Sequence, residues 1–250
     1  MEELTRSNCK QSKMNPTRHK ILRLQSRISA LILLCSFLFS AFCQPIAAVD
    51  AYHSVDTGQM RVALTFDDGP HPRLTPRILE ILDRYGIRAT FFMIGKNVCD
   101  YPETARMVAA AGHEIGNHTD SHVRLYGLGK NRAERELDGC ALKLQAECSY
   151  TPVLFRPPEG AVDSDVLAAA AQKGYRVILW SIDTRDWEVK NAGTIVNRVL
   201  STVKPGDIIL MHDFISYNSK TPEALERLIP KLLARGYEIG SVGELLNVSP

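Results

Sequence analysis

Two carboxylates and two histidines have the residue types and spacing to bind a metal ion. His118 and His122 lie four residues apart, the spacing of one helical turn, which would bring both imidazoles to one side. Asp67 and Asp68 are adjacent, so on leaving a strand one side chain can bind a metal ion while the other faces a substrate. Two imidazoles and one carboxylate leave a position open for water, which catalytic zinc prefers. We therefore expect Asp68, His118 and His122 to form a metal site.

Three further segments combine ionisable and aromatic residues. Arg156 precedes two prolines in RPPEG, Asp186 and Trp187 end DTRDW, and His212 lies in LMHD. Taken alone, each has a simpler interpretation: a surface salt bridge, a turn with a core aromatic, and a hydrogen-bonded core histidine. The same holds for the turn-forming Asp-Asp-Gly-Pro and for a surface histidine pair. Together with the Asp-Asp pair and the histidine pair, these make five segments, and the order in which they occur along the chain favours a shared site.

Seven short apolar runs are candidate buried strands, and the five segments follow five of them. The runs start 23 to 39 residues apart, which leaves room for a helix between successive parallel strands. They are 61–66, 89–94, 114–116, 153–156, 176–181, 207–211 and 237–241. This α/β pattern predicts an irregular parallel (β/α) barrel with about seven strands, and an open doubly wound sheet is the alternative. Either fold gathers ligands at the carboxyl ends of its strands.

Helix boundaries are predicted from capping residues between these runs. The expected starts are Thr75-Pro76, Asp100 with Glu103, Asn131 with Glu134, and Thr221-Pro222. The expected ends are Gly86, Gly112 and Gly174. Ile78, Leu82 and Tyr85 should share one face of the first helix, and Pro230 should kink the last.

The segments TFDDGPH, HTDSH, RPPEG, DTRDW and LMHD, in this order, resemble the motifs of the polysaccharide deacetylases of carbohydrate esterase family 4, the NodB-homology domain. The resemblance extends over about residues 59 to 246. It implies a single catalytic domain at 61–250 that hydrolyses N-acetyl groups and releases acetate with one divalent metal ion. Zinc is the favoured ion, with cobalt or another transition metal as alternatives.

The resemblance also assigns roles near the metal. Asp67 would be the general base, paired with Arg156, which holds it in orientation. Asp68 would be a metal ligand together with His118 and His122, in agreement with the interpretation from residue types alone.

A second group of roles concerns the leaving group and the substrate. His212 would be the general acid, positioned by Asp186, while Trp187 and Leu210 would line the pocket for the acetyl methyl group. The residue after the second proline would present its backbone N–H to the oxyanion. That residue is commonly aromatic in the family and is Glu159 here, which keeps the N–H but places a charge beside the sugar.

The N-terminal segment predicts export. Seven Lys and Arg residues precede an apolar run at 28–43, followed by Ala47 and Ala48. Residues 1–48 are therefore expected to be a signal peptide cleaved after Ala48 or a retained membrane anchor, and 49–60 a linker or arm. The protein is accordingly expected to be extracellular, in the cell wall, or anchored to the membrane by this segment alone.

Charge and cysteine content argue against a nucleic-acid partner and against a thiolate zinc site. Residues 1–48 hold seven of the 30 Lys and Arg and two of the 28 Asp and Glu, so the remainder has a formal charge of −3. A nucleic-acid partner is not expected. Cys99, Cys140 and Cys148 form no CxxC pair, which argues against a thiolate zinc site; one disulfide and free thiols both remain open.

The expected partner is a polysaccharide, with peptidoglycan favoured over chitin or chitooligosaccharides, and the protein is expected to be a monomer. Two other functions agree less well with the sequence. A small-amide hydrolase conflicts with the export signal. A non-catalytic carbohydrate-binding protein would be expected to lack a base, an acid or a ligand, and none is missing here.

Overall fold

The computed structural model describes residues 50–214 and 218–247, and nine short strands lie within them. They are β1 (Ala51–Tyr52), β2 (Arg61–Asp67), β3 (Thr90–Met93), β4 (Glu114–Asn117), β5 (Leu154–Phe155), β6 (Arg176–Ile178), β7 (Ile182–Asp183), β8 (Ile208–His212) and β9 (Glu238–Gly240). All pair in parallel, in the order β1-β6-β5-β4-β3-β2-β8-β7, with β9 paired to the first residues of β2. The strands form an incomplete barrel, which confirms the expected irregular (β/α) barrel.

Eight helices connect or follow these strands within the same residues. They are α1 (Leu74–Arg84), α2 (Gly95–Asp100), α3 (Pro102–Ala110), α4 (Lys130–Cys148), α5 (Ser164–Gln172), α6 (Ala192–Thr202), α7 (Thr221–Ala234) and α8 (Val242–Leu246). A single 3-10 turn, Pro158–Gly160, follows β5.

The central strand β2 has two buried faces of different character. Val62, Leu64 and Phe66 belong to the main apolar core, which includes buried residues of α1, α6 and α7. Ala63 belongs to a smaller cluster with residues of the other strands and of α8. Because side chains alternate along a strand, Thr65 and Asp67 share the face of Ala63. The apolar cluster therefore fills one end of the barrel, and Asp67 reaches the other.

The strand predictions were correct in position and incomplete in number. Only the first three residues of the run at 176–181 form β6, and a separate strand, β7, follows the run at Ile182–Asp183. The segment 49–60, predicted to be a linker or arm, contributes β1, whose Ala51 and Tyr52 pair with β6.

Several predicted helix starts were wrong. Helix α1 begins at Leu74, where the Nδ1 atom of His71 accepts hydrogen bonds from the N–H groups of Arg73 and Leu74. Thr75 is therefore inside the helix rather than its cap. Tyr85, predicted to share the buried face, is 38% exposed at the helix end, because it follows the last helical turn.

Neither predicted capping box is present, since α3 and α4 begin after Tyr101 and Gly129 without side-chain caps. Glu103 pairs with Arg106 instead, and Glu134 with Lys130. Helix α7 begins at Thr221, as predicted, although without a side-chain cap, and it runs as one helix through Pro230. The helix ends were predicted correctly: Gly86, Gly112 and Gly174 follow α1, α3 and α5 with positive φ, a conformation that glycine adopts without strain.

Two sequence expectations concern compartment and redox state. No helix in residues 50–214 and 218–247 is long and apolar enough to cross a bilayer; the predicted signal peptide or anchor lies outside the described residues. Cys99, Cys140 and Cys148 are free thiols, which agrees with the free-thiol alternative.

Candidate metal centre and catalytic pocket

Three strands bring Asp67, His118 and His212 to one end of the barrel. Asp67 is the last residue of β2 and His212 the last residue of β8. These two residues are paired in the parallel register. Strand β4 ends at Asn117, so His118 leaves the sheet on the other side of β3. The sheet thus fixes the start of each loop that carries a candidate catalytic group.

Asp68, His118 and His122 converge as the sequence predicted. The Oδ1 atom of Asp68 lies 3.4 Å from Nε2 of His118 and 3.0 Å from Nε2 of His122. One ligand atom from each residue lies within 4.8 Å of the other two. Two nitrogens and one oxygen at this separation can surround a single divalent ion, leaving further positions for solvent or substrate.

The two histidines do not converge through a helical turn, as their spacing suggested. Residues 118–122 form an irregular bend after β4. Thr119 and His122 have φ values of 68° and 57°, and Asp68 has a φ of 76°. These left-handed conformations are uncommon for residues with a Cβ and concentrate at functional sites. Local backbone conformation, and not helical periodicity, therefore brings the three side chains together.

The protonation of these residues suits a metal site. Nδ1 of His118 lies 2.7 Å from the carbonyl oxygen of Arg156; because a carbonyl only accepts, Nδ1 carries a proton, and Nε2 is turned toward Asp68. Burial alone would raise the pKa of Asp68, but its contacts with His118 and His122 outweigh burial and hold that pKa well below its ordinary value. The donor set therefore fits a divalent metal ion.

Helix α4 holds the loop that carries His122. The carboxylate of Glu136, only 5% exposed, accepts hydrogen bonds from the backbone N–H of Ser121 at 2.9 Å and from its hydroxyl at 3.0 Å. Arg132 forms an ion pair with the same carboxylate at 2.7 Å. Because Ser121 directly precedes His122, Glu136 restricts the position of that imidazole.

Arg156 fixes Asp67 from inside the barrel. Its side chain is fully buried, and Nη1 donates to Oδ1 of Asp67 at 2.6 Å and to the hydroxyl of Thr65 at 2.8 Å. Two further donations reach the carbonyls of Ile178 and Leu179. The expected ion pair is present, and a buried charge with this many partners holds a defined orientation. The other oxygen of Asp67 faces the metal site, 3.8 Å from Nε2 of His118.

A second buried carboxylate orients His212. Nδ1 of His212 lies 2.7 Å from Oδ1 of Asp186, and the backbone N–H of His212 donates to Oδ2. The hydroxyl of Thr221, at the start of α7, also donates to Oδ2, at 2.5 Å. Burial alone would lower the pKa of His212, but Asp186, together with the charges of Asp67 and Asp68, raises it to about 9. His212 therefore carries a proton at neutral pH in the absence of a bound cation.

A cavity of about 490 Å³ opens onto Asp67, the metal-site cluster and His212. The predicted residues that line it are Asp67, Asp68, His118, His122, Glu159, Trp187, Leu210 and His212. Arg156 and Asp186 lie behind it, in contact with Asp67 and His212. All ten predicted site residues are thus brought together.

Sequence reasoning missed three residues that line the cavity: Trp180, Asp183 and Phe214. Phe214 lies two residues after His212, so its position alone could have suggested it. Trp180 was treated as part of an apolar strand, and its sequence context does not distinguish it from a core residue.

Asp213 is a further buried group for which the sequence suggested no role. Its Oδ2 accepts from the hydroxyl of Thr75 at 2.5 Å, and its N–H donates to the carbonyl of Asp67. A Cβ at Gly69 would lie 2.2 Å from the same carboxylate, so only glycine fits there. Burial, with a smaller contribution from the charges of Asp68 and Asp67, raises the pKa of Asp213 to about 7. Asp213 therefore packs against the segment that carries Asp67 and Asp68.

Comparisons with known proteins agree with this geometry. The family model described as polysaccharide deacetylase matches residues 54–178. A peptidoglycan-N-acetylglucosamine deacetylase from Bacillus cereus is 40% identical over 77% of this chain and 91% of its own length. A chitooligosaccharide deacetylase from Sinorhizobium fredii is 39% identical over 74% of this chain and 92% of its own length. The crystal structure of a peptidoglycan N-acetylglucosamine deacetylase superposes with a TM-score of 0.76 at 33% identity, covering 79% of this chain and 92% of that one.

Proposed function

The chain belongs to the polysaccharide deacetylase family and is a metal-dependent hydrolase of N-acetyl groups, and we propose that its substrate is peptidoglycan. The observation that carries the proposal is the single cavity onto which an Asp-His-His set, an Arg-supported carboxylate and an Asp-supported histidine all open. Similarity to the Bacillus cereus enzyme over nearly its whole length supports the choice of polymer.

Asp68, His118 and His122 would hold the metal ion, and we propose zinc. Nitrogen and oxygen donors in this number suit zinc, and cobalt accepts a similar set. When bound, the ion supplies Lewis-acid polarisation of the acetamide carbonyl and makes water more acidic.

Asp67 is the proposed general base. Its free oxygen faces the cavity, and its other oxygen is held by Arg156. In this position the carboxylate accepts a proton from the water that attacks the acetyl carbon. A fixed acceptor contributes to the rate because no reorientation is needed during proton transfer.

His212 is the proposed general acid, on the opposite side of the cavity from the loop that carries His118 and His122. Asp186 engages its Nδ1, which leaves Nε2 to donate a proton to the departing amine. Trp187 and Leu210, which line the cavity, are proposed to enclose the acetyl methyl group. The backbone N–H of Glu159 is proposed to donate to the oxyanion, a contact that strengthens as charge develops. The products are acetate and a free amino sugar.

The site of action is proposed to be outside the cytoplasm, because peptidoglycan lies there and residues 1–48 have the composition of an export signal or anchor. A chitooligosaccharide is the alternative substrate, supported by the similarity to the Sinorhizobium fredii enzyme.

The test is to supply the zinc-loaded protein separately with purified peptidoglycan and with N-acetylglucosamine oligomers, and to measure released acetate and new free amines. The proposal predicts both products from peptidoglycan, and chelator treatment should abolish them. Release from the oligomers alone would transfer the assignment to chitooligosaccharides. Absence of acetate from both would contradict the function.

A further inference from the structure

The loop that follows His122 presents an exposed tyrosine ring. Tyr126 is 57% exposed, while its neighbour Leu125 is 1% exposed and packs with residues of α4 and α5. The backbone N–H of Gly127 donates to Oδ2 of Asp163 at 2.7 Å, and the N–H of Leu128 donates to the carbonyl of Leu125. The loop is therefore anchored on both sides of Tyr126, and the ring is held outward on fixed backbone.

Arg124 connects this ring to the mouth of the catalytic cavity. Its guanidinium carbon lies 5.8 Å from the centroid of the Tyr126 ring. Its Nε lies 3.6 Å from the carboxylate of Glu159, and Glu159 lines the cavity. The tyrosine, the arginine and the glutamate therefore form a continuous surface that begins where the cavity ends.

The opposite side of the cavity has a similar arrangement. Trp187 lines the cavity and is 53% exposed, and the guanidinium carbon of Arg185 lies 5.8 Å from its ring centroid. Trp187 follows β7, whereas the Tyr126 loop follows β4, and these strands lie on either side of the central strand β2. Exposed aromatic side chains therefore flank the cavity on both sides of β2.

The chemistry of the Tyr126 surface suits a sugar ring. An aromatic face offers an apolar contact to the C–H face of a pyranose, and adjacent charged groups can bond its hydroxyls; ligand sites commonly combine aromatic side chains with a few placed polar groups. Arg124 and Glu159 side chains are 61% and 62% exposed, so ligand hydroxyls can reach both. The apolar area is one ring and the nearby Leu128, much less than a protein-docking patch requires.

We propose that Tyr126, Arg124 and Glu159 form a second sugar-binding site, which holds the N-acetylhexosamine unit adjacent to the one being deacetylated. The proposal rests on the proposed function, because it assigns the site to the same polymer. It predicts that longer oligomers bind more tightly than the cavity alone would allow, and that the gain depends on the Tyr126 ring.

The experiment measures binding without turnover, in the zinc-loaded full chain carrying Asp67→Asn. The affinity for the N-acetylglucosamine tetramer is measured by calorimetry. Adding Tyr126→Ala should weaken binding about fivefold, the effect of losing one aromatic contact. Tyr126→Phe should stay within about twofold of the parent because the ring face remains. Arg124→Ala should also weaken binding.

The matched control is Tyr85→Ala, because Tyr85 is another partly exposed tyrosine and lies at the end of α1, toward the opposite end of the barrel. It should leave the affinity unchanged. Equal affinities for Tyr126→Ala, Tyr126→Phe and the parent would overturn the second site, as would a parent that does not bind the tetramer. Failure of the proposed function is distinguishable, since it appears as absent acetate release with Asp67 intact.

Discussion

Asp67 and His212 end the neighbouring strands β2 and β8 and lie directly opposite one another in the sheet register. Each is held from behind by a buried group of opposite charge: Arg156 for Asp67 and Asp186 for His212. Arg156 bonds one oxygen of Asp67 and leaves the other facing the cavity as an acceptor, whereas Asp186 favours the protonated, proton-donating form of His212. This division between two adjacent strand ends is the basis for assigning one group to accept and the other to donate.

Asp67→Asn should abolish proton acceptance while leaving the ligand set intact. We expect kcat for acetate release to fall by about 10² to 10⁴, the usual contribution of a general base, with one zinc ion still bound per chain. Steady-state kinetics with metal analysis checks both. Near-normal kcat would remove Asp67 from the mechanism, and loss of the metal would assign it a ligand role.

His212 should titrate near pH 9 in the metal-free protein, because Asp186 and the neighbouring carboxylates favour its charged form over burial. Asp186→Asn removes the directly bonded charge, so the pKa of His212 should fall toward or below the ordinary histidine value. NMR titration of the imidazole in chelator-treated protein gives both values. If the pKa of His212 were unchanged in Asp186→Asn, Asp186 would not set the protonation of His212.

Glu136→Ala should weaken metal binding although Glu136 is not a proposed ligand. The substitution leaves the Ser121 N–H without its carboxylate acceptor and frees the loop before His122, which should lower zinc affinity by about tenfold. Competition with a chromophoric chelator measures the affinity. Glu134→Ala is the control, since Glu134 lies on the same helix and pairs only with Lys130 among the described residues; it should bind zinc normally. Equal affinities in the two variants would exclude the positioning role.

His113 should make the fold sensitive to acid. It is 4% exposed, its Nδ1 accepts the N–H of Ala89, and burial, aided by the charge of Arg88, lowers its pKa to about 4. As pH falls below about 6.5, His113 is protonated in the unfolded chain before it is protonated in the folded protein. The stability that the neutral imidazole contributes is therefore fully present above that pH and is lost as pH falls toward 4.

The measurable effect is a difference between two proteins. Between pH 7 and pH 5, the unfolding free energy of the wild type should fall by about 2 kcal/mol more than that of a His113→Gln variant. Urea unfolding at both pH values gives the difference. Parallel losses in the two proteins would show that His113 is not the responsible group.

The strand ends were predictable from the apolar runs, and the ten residues that lie together at one end of the barrel were predicted from residue types and from motifs that resemble those of the family. Asp67 and His212 each follow an apolar run, so their shared edge follows from parallel pairing. Thr75 was misassigned as a helix cap because its hydroxyl donates to Asp213, 138 residues away, and local capping signals do not report such a contact.

The sequence predicted which residues converge at the candidate metal site but not how the backbone brings them together. His118 and His122 meet because Thr119 and His122 adopt left-handed backbone conformations, which residue spacing does not encode. Trp180 was missed because the local sequence does not show whether an aromatic residue in an apolar run faces a core or a cavity.

The central claim is that Asp68, His118 and His122 bind the ion on which hydrolysis depends. The most direct measurement is acetate release from the N-acetylated polymer by chelator-treated protein, titrated with zinc. The account predicts no release without zinc, saturation at one equivalent in the wild type, and no recovery at that concentration in His118→Ala. Full activity in the metal-free wild type, or normal recovery in His118→Ala, would contradict it.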